Sequence, residues 1–354
     1  MDAAADLAHV REALVRRYGI EASDIELLDA GSTPNHAVTA VTGAKFLVKA
    51  LRSRLGQWVA ENAQQITAIS AHAVVHSLPT PAPVRATDGG LVAVEHGPRE
   101  DEETHFVVFE WAEGYQRADH FLVAEPGAEG GLLAILGALL AKLHSLPPPA
   151  DIAIPAPEAP GGHCLCDMGS FLEFAGDTAS LFQGQDSEDA RWFRKWLPAL
   201  AELWRRMPGP AVMCHGDAYL DNVLAKAGTP LELMLVDWED ACTTNPVVDL
   251  AACAVGTCFT LSLGEESENV SVELVRERLA ALVGGYVRQR PLGDADRALL
   301  RPSMQACAWA CGAFRYSRFL EGVADVKTRK YGQLIEVVNI LEDMGDDFDA
   351  IAFA

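Results

Sequence analysis

The stretch His215-Gly216-Asp217-Ala218-Tyr219-Leu220-Asp221-Asn222 places a histidine, a glycine, two aspartates and an asparagine within eight residues of a chain rich in alanine and leucine. Apolar runs flank it, Ala211-Val212-Met213-Cys214 before and Val223-Leu224-Ala225 after. Both flanks call for burial, so the polar cluster is pinned to a core and does not float in a long loop. Downstream, the apolar strand Leu231 to Val236 ends on Asp237, 20 residues after Asp217. Two short strands around a hairpin would bring Asp217, Asn222 and Asp237 together. Oxygen donors of this kind suit a hard dication, since Mg²⁺ takes one or two protein oxygens and completes its shell with water and phosphate.

Composition bounds the rest. A chain of 354 residues exceeds one simple core and reads as two lobes. Lys and Arg number 28 against 50 Asp and Glu, a net charge of −22 that disfavours nucleic acid or an anionic membrane as partner and favours a cationic one. The start, Met1-Asp2-Ala3-Ala4-Ala5-Asp6, carries acids where a secretory leader carries bases, and no apolar run reaches membrane-spanning length; a cytoplasmic protein is expected. The eight cysteines lack Cys-x-x-Cys pairing and read mostly as buried thiols; His163-Cys164-Leu165-Cys166 offers three metal ligands at poor spacing.

Along the chain, residues 5–18 have helical periodicity with Leu7, Val10, Leu14 and Val15 on one face. Extended segments are expected at 25–28, 37–41, 46–51, 92–95 and 106–109, and a helix at 54–70. From Gly131 a leucine stripe marks a helix ending at His144-Ser145-Leu146-Pro147, and the prolines from 147 to 160 make an irregular connection. Helical patterns dominate thereafter, and Trp192, Phe193, Trp196 and Leu197 read as a core-facing stripe. The acids Glu342, Asp343, Asp346, Asp347 and Asp349 read as a solvated end.

The eight-residue stretch resembles the His-Gly-Asp-x4-Asn catalytic loop of the aminoglycoside phosphotransferase and choline kinase families, relatives of the protein kinases. Asp237-Trp238-Glu239 resembles their metal-binding motif, and Asp249-Leu250-Ala251 the Asp-Leu-Ala that follows it. The helix ending Leu139-Leu140-Ala141-Lys142-Leu143-His144-Ser145-Leu146 is similar too. The resemblance implies an α+β, bilobal protein-kinase-like fold, with an antiparallel sheet lobe over residues 1–111 and a larger, mainly helical lobe over 112–354. It implies Asp217 as the group that orients the attacking hydroxyl, and Asn222 and Asp237 as ligands of Mg²⁺. It implies ATP or GTP as phosphate donor and a small-molecule hydroxyl as acceptor.

Within the first lobe, Lys49 in Phe46-Leu47-Val48-Lys49-Ala50-Leu51 sits in an apolar run where an unpaired ammonium is costly, unless it is a strand-edge lysine that snorkels. Phosphate contact, with Glu61 of the next helix as its carboxylate partner, is the functional expectation. Gly31, Ser32 and Asn35 lie between two strand-like segments where a phosphate-covering hairpin is expected, and Glu110-Trp111-Ala112 falls at the position of the adenine-binding hinge. His215 is expected to brace the loop, and Asp249 to cap a helix or tether that loop. The signatures of Walker-type nucleotide loops, of serine hydrolase elbows and of His-Glu-x-x-His metalloproteases are absent from the sequence. The acceptor expected first is an antibiotic such as an aminoglycoside. A metabolic kinase for choline, an amino alcohol or a sugar is the alternative, and a catalytically silent nucleotide-binding protein is a third reading, disfavoured because Lys49, Asp217, Asn222 and Asp237 are all present.

Overall fold

A computed structural model describes residues 3–28, 34–96, 103–124, 129–149, 182, 184–206, 212–261, 271–322 and 329–354. The side chains of 3–6, 52–62, 123–129, 201 and 204–206 also fall outside the description. Two compact units emerge: the described residues up to Tyr115 together with Pro149 and Met234–Glu239 form the first, and the remaining described residues from Gln116 onward form the second.

The first unit is built on five antiparallel strands, β1 (Ala22–Leu28), β2 (Asn35–Ala40), β3 (Lys45–Arg52), β4 (Ala93–His96) and β5 (Glu103–Glu110), in the order β1-β2-β3-β5-β4. Because strand side chains alternate, the sheet has two faces. Val38, Val48, Ala50, Phe106 and Val108 are buried with Val10, Ala13 and Leu14 of the leading helix α1 (Ala3–Ala13) and its continuation, forming one core. Leu51 and Val107 pack with Ala63 of helix α2 (Ser53–Val75) on the other.

The strands and α2 lie where patterning put them, and one expectation needs correction. Val15 does not share the buried face of Leu14; it is exposed, because α1 passes into a π-helical turn over Leu14–Tyr18. The wider turn departs from the 3.6-residue period, burying Leu14 and Tyr18 and turning Val15 outward.

The second unit opens with β6 (Gln116–Arg117), α3 (Ala118–Ala124) and α4 (Glu129–Leu143), the expected leucine-rich helix, whose Leu132, Leu133, Leu136, Leu140 and Leu143 are fully buried. Helix α5 (Glu188–Arg206) follows, with Phe193 buried as expected; Trp192 and Trp196 are only half-buried. Strands β7 (Val212–Cys214), β8 (Val223–Lys226), β9 (Glu232–Leu235, its last two residues counted with the first unit) and β10 (Cys242–Thr244) make two small ladders, β10-β7 and β6-β8-β9. Helices α6 (Pro246–Cys258), α7 (Arg276–Gln289), α8 (Asp294–Leu320), α9 (Tyr331–Met344) and α10 (Asp347–Ala352) complete the unit. Cys214, Cys242, Cys253, Cys258 and Cys307 are buried thiols, Cys311 is half-buried, and Cys164 and Cys166 lie outside the described residues. No helix among the described residues is long and apolar enough to cross a membrane.

Helices α4 and α7 touch through backbone. A Cβ on Gly137 would stand 2.0 Å from the Leu282 carbonyl oxygen, and one on Gly285 2.0 Å from that of Ala134. Neither oxygen can move without breaking its helix, so each glycine is required by the other helix. Gly285→Ala should therefore cost about 1–3 kcal/mol by overpacking, read as a lower urea midpoint at unchanged slope; an unaltered midpoint would show that the helices separate freely.

Candidate active site

In the second unit, the loop from His215 to Asn222 joins β7 to β8, ending in a short 3₁₀ turn at Leu220–Asn222. Its geometry is set by Asp249, fully buried in the first turns of α6. The Asp249 carboxylate accepts the backbone N–H of His215 at Oδ2 (2.9 Å) and that of Gly216 at Oδ1 (2.9 Å). His144, just past the end of α4, reaches Asp249 Oδ2 through Nε2 (2.9 Å) and the Tyr286 hydroxyl through Nδ1 (2.8 Å). An ionised carboxylate only accepts, so His144 donates from Nε2; in the neutral ring Nδ1 then accepts from the Tyr286 hydroxyl. Burial would raise the Asp249 pKa, but the bonds from His144 and from the His215 amide outweigh it and hold the carboxyl below its usual value. Cys214 converges on the same point with His144 and Asp249. With both His144 nitrogens and both Asp249 oxygens already hydrogen-bonded, this is a polar network and carries no sign of a metal centre.

Gly216 has φ of +84°, and a Cβ there would stand 2.1 Å from the Asp240 carbonyl oxygen. Only glycine serves at this turn. The His215 ring, fully buried, accepts the Asp217 backbone N–H at Nδ1 (3.3 Å), so it braces the loop from within. Asn222 donates from Nδ2 to the Asp217 carboxylate (2.6 Å) and to the Asp217 carbonyl (2.9 Å). That fixes Asp217 and leaves the amide oxygen as the atom Asn222 can offer a cation.

In the first unit, Lys49 lies on central strand β3, opposite Val107 on β5 and Asn35 on β2, so it is no strand-edge lysine. Its ammonium bonds Asp237 Oδ1 at 2.5 Å and Glu239 Oε1 at 2.8 Å. Burial disfavours the charged form, but the two carboxylates more than offset it and lift the Lys49 pKa above the ordinary lysine value. Burial, and then Asp237, push Glu239 upward while Lys49 opposes them. A cavity of about 50 Å³ opens here, walled by Leu47, Lys49, Val107, Phe109, Asp237 and Glu239 among others.

Of the residues expected at the site, Asp217 and Asn222 are brought together in one unit, and Lys49 and Asp237 in the other. Glu61 is on α2, but its side chain, with Gly31 and Ser32, falls outside the described residues. Asn35 begins β2. At the expected hinge, the Glu110 N–H donates to Ala82 O (2.9 Å) and Ala112 O accepts from the Tyr115 N–H (3.2 Å). Glu239 had no role in the sequence reading beyond its place in Asp237-Trp238-Glu239. An acid two residues from a metal-ligand candidate was the available signal, and its partner lies 190 positions away.

Cutting the Asp249 network should expose its weight. Asp249→Asn keeps one acceptor oxygen but sets a donor NH2 against either the Gly216 N–H or the His215 N–H and His144 Nε2–H, and removes the buried charge they serve, costing about 3–5 kcal/mol at neutral pH. Because the folded carboxyl titrates below its unfolded value of about 3.8, the stability it adds is present above that value and is lost as pH falls through the lower folded one. Urea melts of both proteins from pH 7 to pH 3 should give a constant gap that narrows only below about pH 4. A gap that closes already between pH 7 and 5 would place the titration on another group.

Comparison with known proteins bears on the family and the fold. A model of the phosphotransferase enzyme family matches residues 24–292. A homoserine kinase of Gluconobacter oxydans (strain 621H) is 29% identical over 189 residues, 51% of each chain, so the chain spans about half the length of the curated relative it matches. Amicoumacin kinase hAmiN, solved with AMP-PNP, Ca²⁺ and Ami, aligns at a TM-score of 0.68 and 13% identity over 98% of this chain and 97% of its own. A microcompartment-associated aminopropanol kinase aligns at 0.63 and 17% identity over 99% and 100%. The fold is thus the α+β, kinase-like fold expected from the motifs. On the span of the family match, the chain belongs to the phosphotransferase enzyme family.

Proposed function

We propose that the protein is a small-molecule kinase that moves the γ-phosphate of ATP or GTP to an alcohol. The observation that carries this reading is the Asp217–Asn222 contact of 2.6 Å within a loop held by Asp249. It leaves a carboxylate positioned to orient a hydroxyl proton, which is most of what phosphoryl transfer asks of a side chain. Lys49, kept charged by Asp237 and Glu239, is the cation for the donor's phosphates. Asp237 and Asn222 supply hard oxygen donors only, which fit Mg²⁺ and not a softer metal. When bound, such an ion neutralises phosphate charge. Asn35, Gly31, Ser32, Glu61, Glu110 and Ala112 remain nucleotide-side candidates on their positions in the sequence.

The acceptor we infer is an amine-bearing alcohol, either an antibiotic such as an aminoglycoside or a metabolic amino alcohol. Homoserine and aminopropanol, named for two of the similar proteins, both pair an amine with a hydroxyl. The net charge of −22 suits an ammonium-bearing ligand. A cytoplasmic location fits a reaction that draws on the nucleotide pool.

A screen of aminoglycosides, macrolides and amino alcohols, read as an 80-Da mass gain with ATP or GTP, tests the reaction; no phosphorylated product from any amine-bearing alcohol would count against it. Asp217→Asn should keep nucleotide affinity within about twofold while lowering turnover by about 10²–10⁴. Lys49→Ala should instead weaken nucleotide binding. Equal loss of binding in the two variants would sink this division of roles.

A further inference from the structure

Asp237 has φ of +67°, a left-handed conformation that costs a non-glycine residue about 1 kcal/mol and persists only where its surroundings enforce it. The enforcing contacts are on either side of it. Two residues before, the Leu235 N–H donates to the Pro79 carbonyl (3.0 Å); one residue after, the Trp238 indole Nε1–H donates to Thr80 Oγ1 (3.0 Å). Trp238 and Thr80 are both buried, at 3% and 9% exposure, so this bond is shielded from competing water.

The acceptors lie on a stiff support. Pro79, Pro81 and Pro83 fix three φ angles in five residues, and a residue before a proline is itself confined to extended conformations. The segment is fastened to β5: the Glu110 N–H donates to Ala82 O (2.9 Å) and the Val84 N–H to Val108 O (2.8 Å). Strand β5 is the direct neighbour of β3, where Lys49 stands opposite Val107. Lys49 and the Asp237 turn are thus referred to one frame, through β5 and Pro79–Pro81.

From this we infer that Thr80 is a positioning residue: its hydroxyl, by anchoring the Trp238 indole, holds Asp237 and Glu239 in the orientation that presents their carboxylates to Lys49 and to a divalent cation. The inference rests on the reading of Asp237 as a metal ligand. Thr80 lines the same cavity as Lys49, Asp237 and Glu239, and its hydroxyl acts on the Asp237 turn through Trp238.

Thr80→Val keeps the side-chain shape and removes the acceptor, leaving the Trp238 N–H buried without one. Two measurements follow it, neither needing an acceptor substrate. One is the Mg²⁺ concentration that half-saturates binding of a fluorescent ATP analogue; the other is backbone hydrogen exchange across 235–239 without nucleotide. In Thr80→Val the half-saturating Mg²⁺ should rise about three- to tenfold and exchange should quicken by a similar factor, as expected for one lost hydrogen bond. Thr80→Ser should restore both. Should Thr80→Val fold poorly, the double variant Thr80→Val, Trp238→Phe removes donor and acceptor together, is expected to regain stability, and should still show the raised Mg²⁺ requirement. A variant with lowered melting temperature but unchanged Mg²⁺ dependence and exchange would overturn the inference, since that is what a purely structural bond predicts. Wild-type binding indifferent to Mg²⁺ would overturn the reading of Asp237 beneath it, and the exchange data tell that outcome apart from failure of the Thr80 anchor.

Discussion

Taking the Asp249 carboxylate out of water costs several kcal/mol unless donors replace the solvent. The second unit supplies three: the backbone N–H groups of His215 and Gly216, and His144 Nε2. They come from two distant places in the chain, the loop at 215–216 and the end of α4, and His144 brings Tyr286 of α7 with it. The loop of the candidate site is therefore held because the network must be complete. If α4, α6, α7 and β7 were not assembled, a buried charge would lack its partners, and this couples formation of the site to formation of the helical core. Burial also pushes the Tyr286 hydroxyl above its ordinary pKa, which keeps it a donor.

The first unit solves the complementary problem with the signs reversed. Lys49 is the buried ion, on a central strand whose neighbours Val48 and Ala50 face the other core. Two carboxylates from one three-residue turn meet it, which leaves the trio with one net negative charge. A fully neutralised pair would have little attraction for a cation. On the function proposed above, the surplus charge and the oxygen-only donor set suit the Asp237 turn to a dication.

Much of this was legible in the sequence, and what was not has a physical reason. The loop stood out because its polar residues interrupt apolar flanks, and the leucine stripe of α4 and the alternation of β3 are local patterns that periodicity captures. The tether role of Asp249 was one of two readings open for it, and the bonds to His215 and Gly216 select it. Glu342, Asp343, Asp346, Asp347 and Asp349 are exposed, in keeping with a solvated end. The partners of Lys49 were not legible: spacing along the chain offers only nearby acids such as Glu61, whereas Asp237 and Glu239 come from 188 and 190 positions away. Val15 was misplaced for a related reason, since a π-helical turn changes the period on which the assignment depended. The backbone contacts of Gly137 and Gly285 were likewise invisible, because a glycine in a helix looks the same whether or not another helix rests on it.

Exposure divides the charged groups by task. Asp249, His144 and His215 are at or below 1% exposed, so their partners are fixed when the chain folds. Asp217, Asn222 and Asp237 are only half-buried, the Asp237 side chain at 39%. A buried charge exchanges its partners only at great cost, while a half-exposed one does so cheaply because water can stand in during the exchange. On the function proposed above, Asp217, Asn222 and Asp237 exchange ligands at each turnover and meet the second condition, while Asp249, His144 and His215 hold the loop and meet the first. The same logic accounts for the placement of Trp238: a buried, hydrogen-bonded indole between two carboxylates keeps their backbone still while leaving the carboxylates themselves able to change partners.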